Sequence, residues 1–453
     1  MLCISEVKGI NMKFDFESGS ISDVRFQNNI IREYTLENKK LKKNINQKKG
    51  IMVRKFVDGL WIYKSIPEFN SFEVNRLLRQ QTKNSTIRDY ASIVDMCEVN
   101  QDIIKFNFAK PSEQDIKELL FEFYEYNEEY LKKCSDFLIK YVEQAEYKEY
   151  YSSWGTSIKQ EYNHFGIIID IEIGIDNNLF FDEFNICFND FKQLKEEVKA
   201  SNLFIKQFLQ YSKNAVDIRS GEYDLILHPK VSGIFVHECI GHFAEADFND
   251  ENIKELFKRK LKINNFINID IVDSGNKGIS GALLYDDEGI KKKDVYIVKD
   301  SRLNEELTTI MEAHTLKYNN STGNARAVDY LSKPIPRMTT TYMKAGTYNV
   351  NELYEGVKTG IYIKTVKRCN GHFYYSVTPN MAYEIKNGEI IRPVIVPTIC
   401  GRSLSFLNRI TAISDETKIY DSIKNGCGKS GQNNLPVSFG GPHILVNNIP
   451  IGY

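Results

Sequence analysis

The 453-residue chain has almost no net charge. Its 59 Lys and Arg stand against 60 Asp and Glu, a formal charge of −1. A nucleic-acid binder needs a basic face to neutralise phosphates, and this balance offers none. Long apolar runs are also missing. The best candidate, FGIIIDIEIGI (residues 165–175), is short and broken by acids. It reads as a buried strand, whereas a membrane span takes about 20 apolar residues. The opening residues, MLCISEVKGINMKFDF, lack the apolar core of a signal peptide, and Met12 offers a second possible start. Eight cysteines are present but form no C-x-x-C pair, so they are expected as reduced thiols in the cytoplasm. Neither a solenoid-like repeat nor a low-complexity tract is present.

What remains is globular: 42% hydrophobic and 26% charged residues in a chain long enough for two or three domains. Two β-rich runs flank Asp58-Gly59, the dipeptide that a tight hairpin turn prefers, so residues 50–66 read as a hairpin. Asn70 and Glu73 read as a capping box that opens a helix. Residues IIKFNFA are expected as a strand. Pro111-Ser112 starts a long helical stretch placed over residues 113–145, and strands resume at TSIKQEY and FGIIIDIEI. A polar helix is placed over residues 190–214. Beyond SGEYDLILHP the pattern changes to short alternating runs, two of which flank Asn387-Gly388, another hairpin signal. The fold expected is α+β in two domains. Residues 1–220 form a mixed N-terminal domain with antiparallel hairpins and a long helix. Residues 221–453 are mostly antiparallel β, with one motif-bearing helix near their start.

That helix carries VHECIGHFAEAD (residues 236–247), with two of the seven histidines. The pattern is H-E-x-x-x-H, one residue longer than the zinc-peptidase signature. Residues at i and i+4 share a helical face, but at i and i+5 they point about 140° apart on a regular helix. His237 and His242 can share a metal only if the helix is bulged by one residue, as in a π-turn. Gly241, the least helix-favouring residue short of proline, makes such distortion feasible. Glu238 would then lie beside the metal as a general base. A third ligand is needed; Glu245, Asp247 and the distant Cys427 in NGCGKSGQ are the candidates. Glycines 426, 428 and 431 would let that last segment approach another element closely.

GIFVHECIGHFAEADF, followed far downstream by GCGKSGQNNLPVSFGGPHILVNNIPIG, resembles the TldD/PmbA family of metallopeptidases. GIMVRKFVDGLWIYKS, YYSSWGTSIKQE, LLYDDEG, NSTGNARA and PIPRMTTTYMKAG resemble further family segments in the same order, so the likeness spans nearly the whole chain. Residues 89–110 match only loosely, and Cys239 stands in the motif where a small apolar residue is expected. The resemblance implies that His237, His242 and Cys427 bind Zn²⁺ and that Glu238 is the base. It implies short or unfolded peptides as substrates, bound in extended conformation. It also implies a dimer enclosing the catalytic site, formed with a second copy or with a TldE/PmbA-like paralogue that lacks the metal motif. Peptide maturation or turnover is the expected role.

Two other plans fit parts of the pattern. A dipeptidyl-peptidase-III-like enzyme uses H-E-x-x-G-H with a glutamate as third ligand in helical surroundings. A peptide-binding scaffold would need no base. Arg337 in PIPRMTTTYM suits a peptide carbonyl or carboxylate in a substrate groove, or a structural ion pair. His314 precedes a family-like segment and is a second candidate groove residue. Asp286, Asp287 and Glu288 read as an acidic turn. His164, His228, His372 and His443 have no metal-ligand spacing to a partner.

Overall fold

The computed structural model describes residues 13–452 apart from 19, 38, 58, 59, 68, 69, 81–99, 107–110, 176, 177, 249 and 425. The first half is built on one large sheet. Strands β1 (Ser22–Glu37), β2 (Lys40–Val57), β3 (Leu60–Ile66), β4 (Asn100–Phe106), β5 (Asp136–Ser152), β6 (Ser157–Ile175) and β7 (Asn178–Phe188) pair in the order β3-β2-β1-β5-β6-β4, with β7 also on β6. β2 and β3 form the expected hairpin, closed by the pair Val57↔Leu60; its turn, Asp58-Gly59, lies outside the described residues. Asn70 caps the helix Ser71–Leu78 by accepting from the Glu73 amide. The polar helix runs over Phe191–Asn214, with Asp190 as its cap.

The long helix is shorter than the sequence pattern indicates. It opens on the Ser112 capping box but stops at Leu131, and residues 136–145 belong to β5. That segment carries apolar residues at both periods. Pairing with β1 over residues 139–152 and with β6 over residues 136–151 selects the strand. The first half of β2, KLKKNINQKK, is exposed on both faces and was not legible as a strand.

The second half holds the smaller sheets. One orders its strands as Arg302–Leu303, Val295–Lys299, Ile271–Ser274, Thr340–Met343, Ser438–Gly441 and Lys418–Asp421. Another centres on Gly221–Leu227, flanked by Thr359–Ile363 and Ile444–Ile451. Their strands are mostly antiparallel, and the expected Asn387-Gly388 hairpin is present, both turn residues having positive φ (49° and 84°). More than half of the residues lining the largest apolar core come from these two sheets and from the motif helix packed among them, Val231, Phe235 and Val236 included. Among the described residues no helix is long and apolar enough to cross a membrane.

The segment Asp286, Asp287, Glu288 is not a surface turn. All three are buried, and Asp287 and Glu288 join the second half to the first sheet. Glu288 pairs with Arg54, which also pairs with Asp23. Asp287 meets Lys148 at 3.0 Å and Arg25 at 3.6 Å. Asp286 instead accepts from the backbone amides of Glu288, Ile290 and Ala325, and burial raises its carboxyl; the carboxylates of Asp287 and Glu288 are occupied by cations of the protein itself.

Candidate metal centre

The strand Gly221–Leu227 feeds directly into the helix Pro229–Val236. Pro229 occupies its first turn, and His228 Nδ1 accepts from the Lys230 amide at 3.2 Å. The helix is pressed onto the strand Ser438–Gly441: a Cβ on Gly233 would lie 2.8 Å from the Gly440 backbone. Its hydrogen-bond ladder then slips by one residue. His237–Gly241 is a π-turn in which the His242 amide donates to the His237 carbonyl. The distortion that the i, i+5 spacing requires is present, and the two rings lie with centroids 5.2 Å apart.

Gly241 has a different role from the one its helix propensity indicates. Its backbone is ordinary right-handed helix, φ −60° and ψ −54°. A Cβ there would fall 1.9 Å from Met338 Sδ, so the constraint is space.

Cys427 approaches from a hairpin, Cys427–Lys429 with Gln432–Leu435, turned by Ser430 and Gly431 at φ 51° and 79°. Gly426 allows the close crossing, since a Cβ would lie 2.2 Å from the Leu435 carbonyl oxygen. Cys427 Sγ is 3.4 Å from His242 Nε2. The donor atoms of His237, His242 and Cys427 all lie within 4.8 Å of one another, the only such group among the described residues. Around a tetrahedral zinc with bonds of about 2.0–2.3 Å, neighbouring donors are about 3.3–3.6 Å apart. His237 Nδ1 is buried with no hydrogen-bond partner. Two imidazoles and a thiolate suit zinc and not a hard oxygen-seeking cation. The donors fit one such ion.

The donors act strongly on one another's charges, and metal binding would displace the proton held on His242. Burial would raise the Cys427 thiol, but His237 and His242 outweigh it and hold it well below the usual thiol range. Burial would lower His242, but Glu245 and Cys427 outweigh it and lift it to about 11. Glu238 faces the same cavity, and burial raises its carboxyl despite opposition from His237 and His242. Of the other ligand candidates, Glu245 is bonded to the far side of the His242 ring, Nδ1 to Oε2 at 2.8 Å. Asp247 pairs with Lys429.

Arg337 and His314 do not line the cavity. Arg337 is fully buried behind the hairpin and donates to the Cys427 carbonyl at 2.7 Å and to that of Gln432 at 3.3 Å. It shapes the site from behind. His314 sits on the short helix Ile310–Thr315. Cys239 is fully buried, its sulfur against the backbone of Gly371, where a Cβ would lie 2.5 Å away. Lys429 was not singled out from the sequence, although it lies two residues beyond Cys427.

The cavity has a volume of about 520 Å³. One wall comes from β7 of the first sheet, through Phe181, Asp182 and Asn185. That wall is tied to the second half by Asn380 Nδ2 donating to the Phe181 carbonyl at 2.9 Å. The other wall includes the strand Val366–Asn370. Among the described residues this strand is terminal in its three-stranded sheet, with no strand paired to one of its edges.

Residues 220–453 match the sequence profile of the PmbA/TldA metallopeptidase C-terminal domain. The chain belongs to the TldD/PmbA family. The zinc metalloprotease TldD homolog of Saccharolobus solfataricus is 28% identical over 452 residues, covering 96% of each chain. A metalloprotease of Methanocaldococcus jannaschii is 26% identical over 445 residues, 94% of this chain and 95% of that one. The Haemophilus influenzae TldD homolog is 32% identical over 247 residues, 53% of this chain and 50% of that one. Among solved structures, TldE from Thermococcus kodakarensis superposes with a TM-score of 0.70 at 15% identity, covering 96% of this chain and 97% of that one. A Thermotoga maritima protein solved as a candidate modulator of a DNA gyrase gives 0.74 at 15% identity, covering 96% of both. These two likenesses establish the fold. The relatives' naming as metalloproteases implies a metal.

Proposed function

We propose that the chain is a zinc-dependent peptidase acting on short or unfolded peptides, with His237, His242 and Cys427 as metal ligands and Glu238 as general base. The observation that carries this reading is the donor triad itself, brought together by a π-turn and a distant hairpin, with Glu238 beside it on the cavity wall. A zinc ion held there would act as a Lewis acid on the peptide carbonyl and acidify water. Glu238 takes the proton from the attacking water and passes it to the leaving amine. Its raised carboxyl is suited to both halves of that transfer. The unpaired edge of Val366–Asn370 binds the peptide as an added strand, so main-chain hydrogen bonds supply affinity without reading sequence.

The first half, residues 1–220, serves as a domain that closes the cavity through β7 and takes part in a dimer with a second copy or a TldE-like paralogue. The likeness to the Thermococcus kodakarensis TldE fold supports a partner of the same architecture. The protein works in the cytoplasm on peptide maturation or turnover. The six described cysteines are free thiols, as a reducing compartment keeps them.

Glu238→Ala tests the mechanism. Cleavage of an unfolded peptide should fall by about 10²–10⁴-fold while one zinc per chain is retained. Cleavage at the wild-type rate would remove Glu238 from the chemistry.

A further inference from the structure

We infer that Glu245 is a positioning residue for His242, and that Lys429 makes it a latch joining the two chain segments that bring the metal donors together. The inference rests on the metal-site reading above. Glu245 ends the tight turn after His242, where the backbone becomes extended. Its backbone is fixed there, because Ala246 donates to the Leu307 carbonyl at 3.0 Å and Leu307 donates to that of Ala244 at 2.8 Å. The side chain is buried, at 2% exposure.

One oxygen, Oε2, serves two partners. It lies 2.8 Å from His242 Nδ1 and 3.1 Å from Lys429 Nζ. Nδ1 donating to this carboxylate leaves Nε2, the nitrogen that faces Cys427 Sγ at 3.4 Å, as the ring atom directed at the metal position. The same contact excludes Glu245 as a ligand to that ion, since it occupies the other edge of the ring. Lys429 is two residues beyond Cys427. It also donates to the Pro336 carbonyl at 2.9 Å and pairs with Asp247. The motif helix and the cysteine hairpin are therefore registered to each other through a single buried carboxylate, some 180 residues apart in sequence. A buried carboxylate held by two partners on one oxygen, with its other oxygen buried and unpartnered, has few other arrangements open to it.

The test is zinc affinity by competition with a chromogenic chelator, on the full chain. Glu245→Gln keeps shape and loses charge; Glu245→Leu loses both. Both should bind zinc about 10–100-fold more weakly than wild type, Leu worse than Gln. Lys429→Met should shift affinity in the same direction by a smaller factor. The visible ligand-field spectrum of the cobalt-loaded protein should change in Glu245→Gln while the metal-free thermal midpoint stays close to wild type. A purely structural role would move the midpoint and leave the cobalt spectrum of the folded protein unchanged. If Glu245→Leu fails to fold, Glu245→Gln and Lys429→Met decide. Glu245→Gln binding zinc within about twofold of wild type overturns the positioning role alone, because this role is worth tenfold or more. Wild type that binds no zinc overturns the metal-site reading, and the latch with it.

Discussion

Gly241→Ala separates two reasons for a glycine inside a metal motif. If the π-turn needed a permissive backbone, alanine would be harmful whatever surrounds it. The observed angles, φ −60° and ψ −54°, are ones that alanine adopts readily. What opposes the new methyl is Met338 Sδ, 1.9 Å from where Cβ would sit, on a side chain that is itself fully buried. Forcing a methyl into a packed core costs about 1–3 kcal/mol. Alanine returns about 1 kcal/mol through helix propensity. The single substitution should therefore destabilise the metal-free protein by up to about 2 kcal/mol. Met338→Ala removes the obstacle, at its own cost of about 2–5 kcal/mol. In that background Gly241→Ala should become neutral or stabilising by up to about 1 kcal/mol. Urea unfolding of the four proteins, followed by circular dichroism, reads the coupling directly. An equal loss in both backgrounds would refute the spatial argument and return the constraint to the backbone.

Three further outcomes are expected. Cys427→Ser should reduce bound zinc from one per chain to nearly none by metal analysis; unchanged stoichiometry would move the third ligand elsewhere. Arg337→Met should destabilise the protein by about 1–3 kcal/mol, because the buried Cys427 carbonyl loses its donor, and should weaken zinc binding without touching the substrate. His164 is held neutral by burial, its pKa pushed down to about 4 from 6.5. Its stabilising contribution is complete above pH 6.5 and is lost as pH falls from 6.5 through 4, by about 3 kcal/mol. His164→Gln should flatten that part of the stability–pH curve; an unchanged slope would place the acid sensitivity in other groups.

The sequence was most informative where local chemistry decides structure. Asn387-Gly388 specified its turn because both residues sit at positive φ, and Asn70, Ser112 and Asp190 marked helix starts because their side chains satisfy amides there. It misled at residues 136–145, where Leu138, Val142 and Ala145 keep a helical spacing while Phe137, Ile139 and Tyr141 alternate. Only the flanking strands β1 and β6 resolve that ambiguity. The exposed lysine-rich arm of β2 had no apolar alternation to read. At the site, the extra residue between the histidines announced its own π-turn. The tasks of Glu245, Lys429 and Arg337 were not legible, since each depends on contacts between segments that fold together only in three dimensions. Arg337 suited a groove by its chemistry and proved to be a buried prop.

The unpaired edge of Val366–Asn370 has a consequence for the protein's own solubility. A bare row of backbone donors and acceptors is a template on which other chains aggregate, and surface edges are normally blunted by charge, proline or a bulge. Here the strand lines a cavity of about 520 Å³ to which β7 also contributes a wall. A strand that lines a cavity is held back from the surface where chains of the same kind would meet, so the place proposed for a peptide would also keep a sticky surface from its own kind.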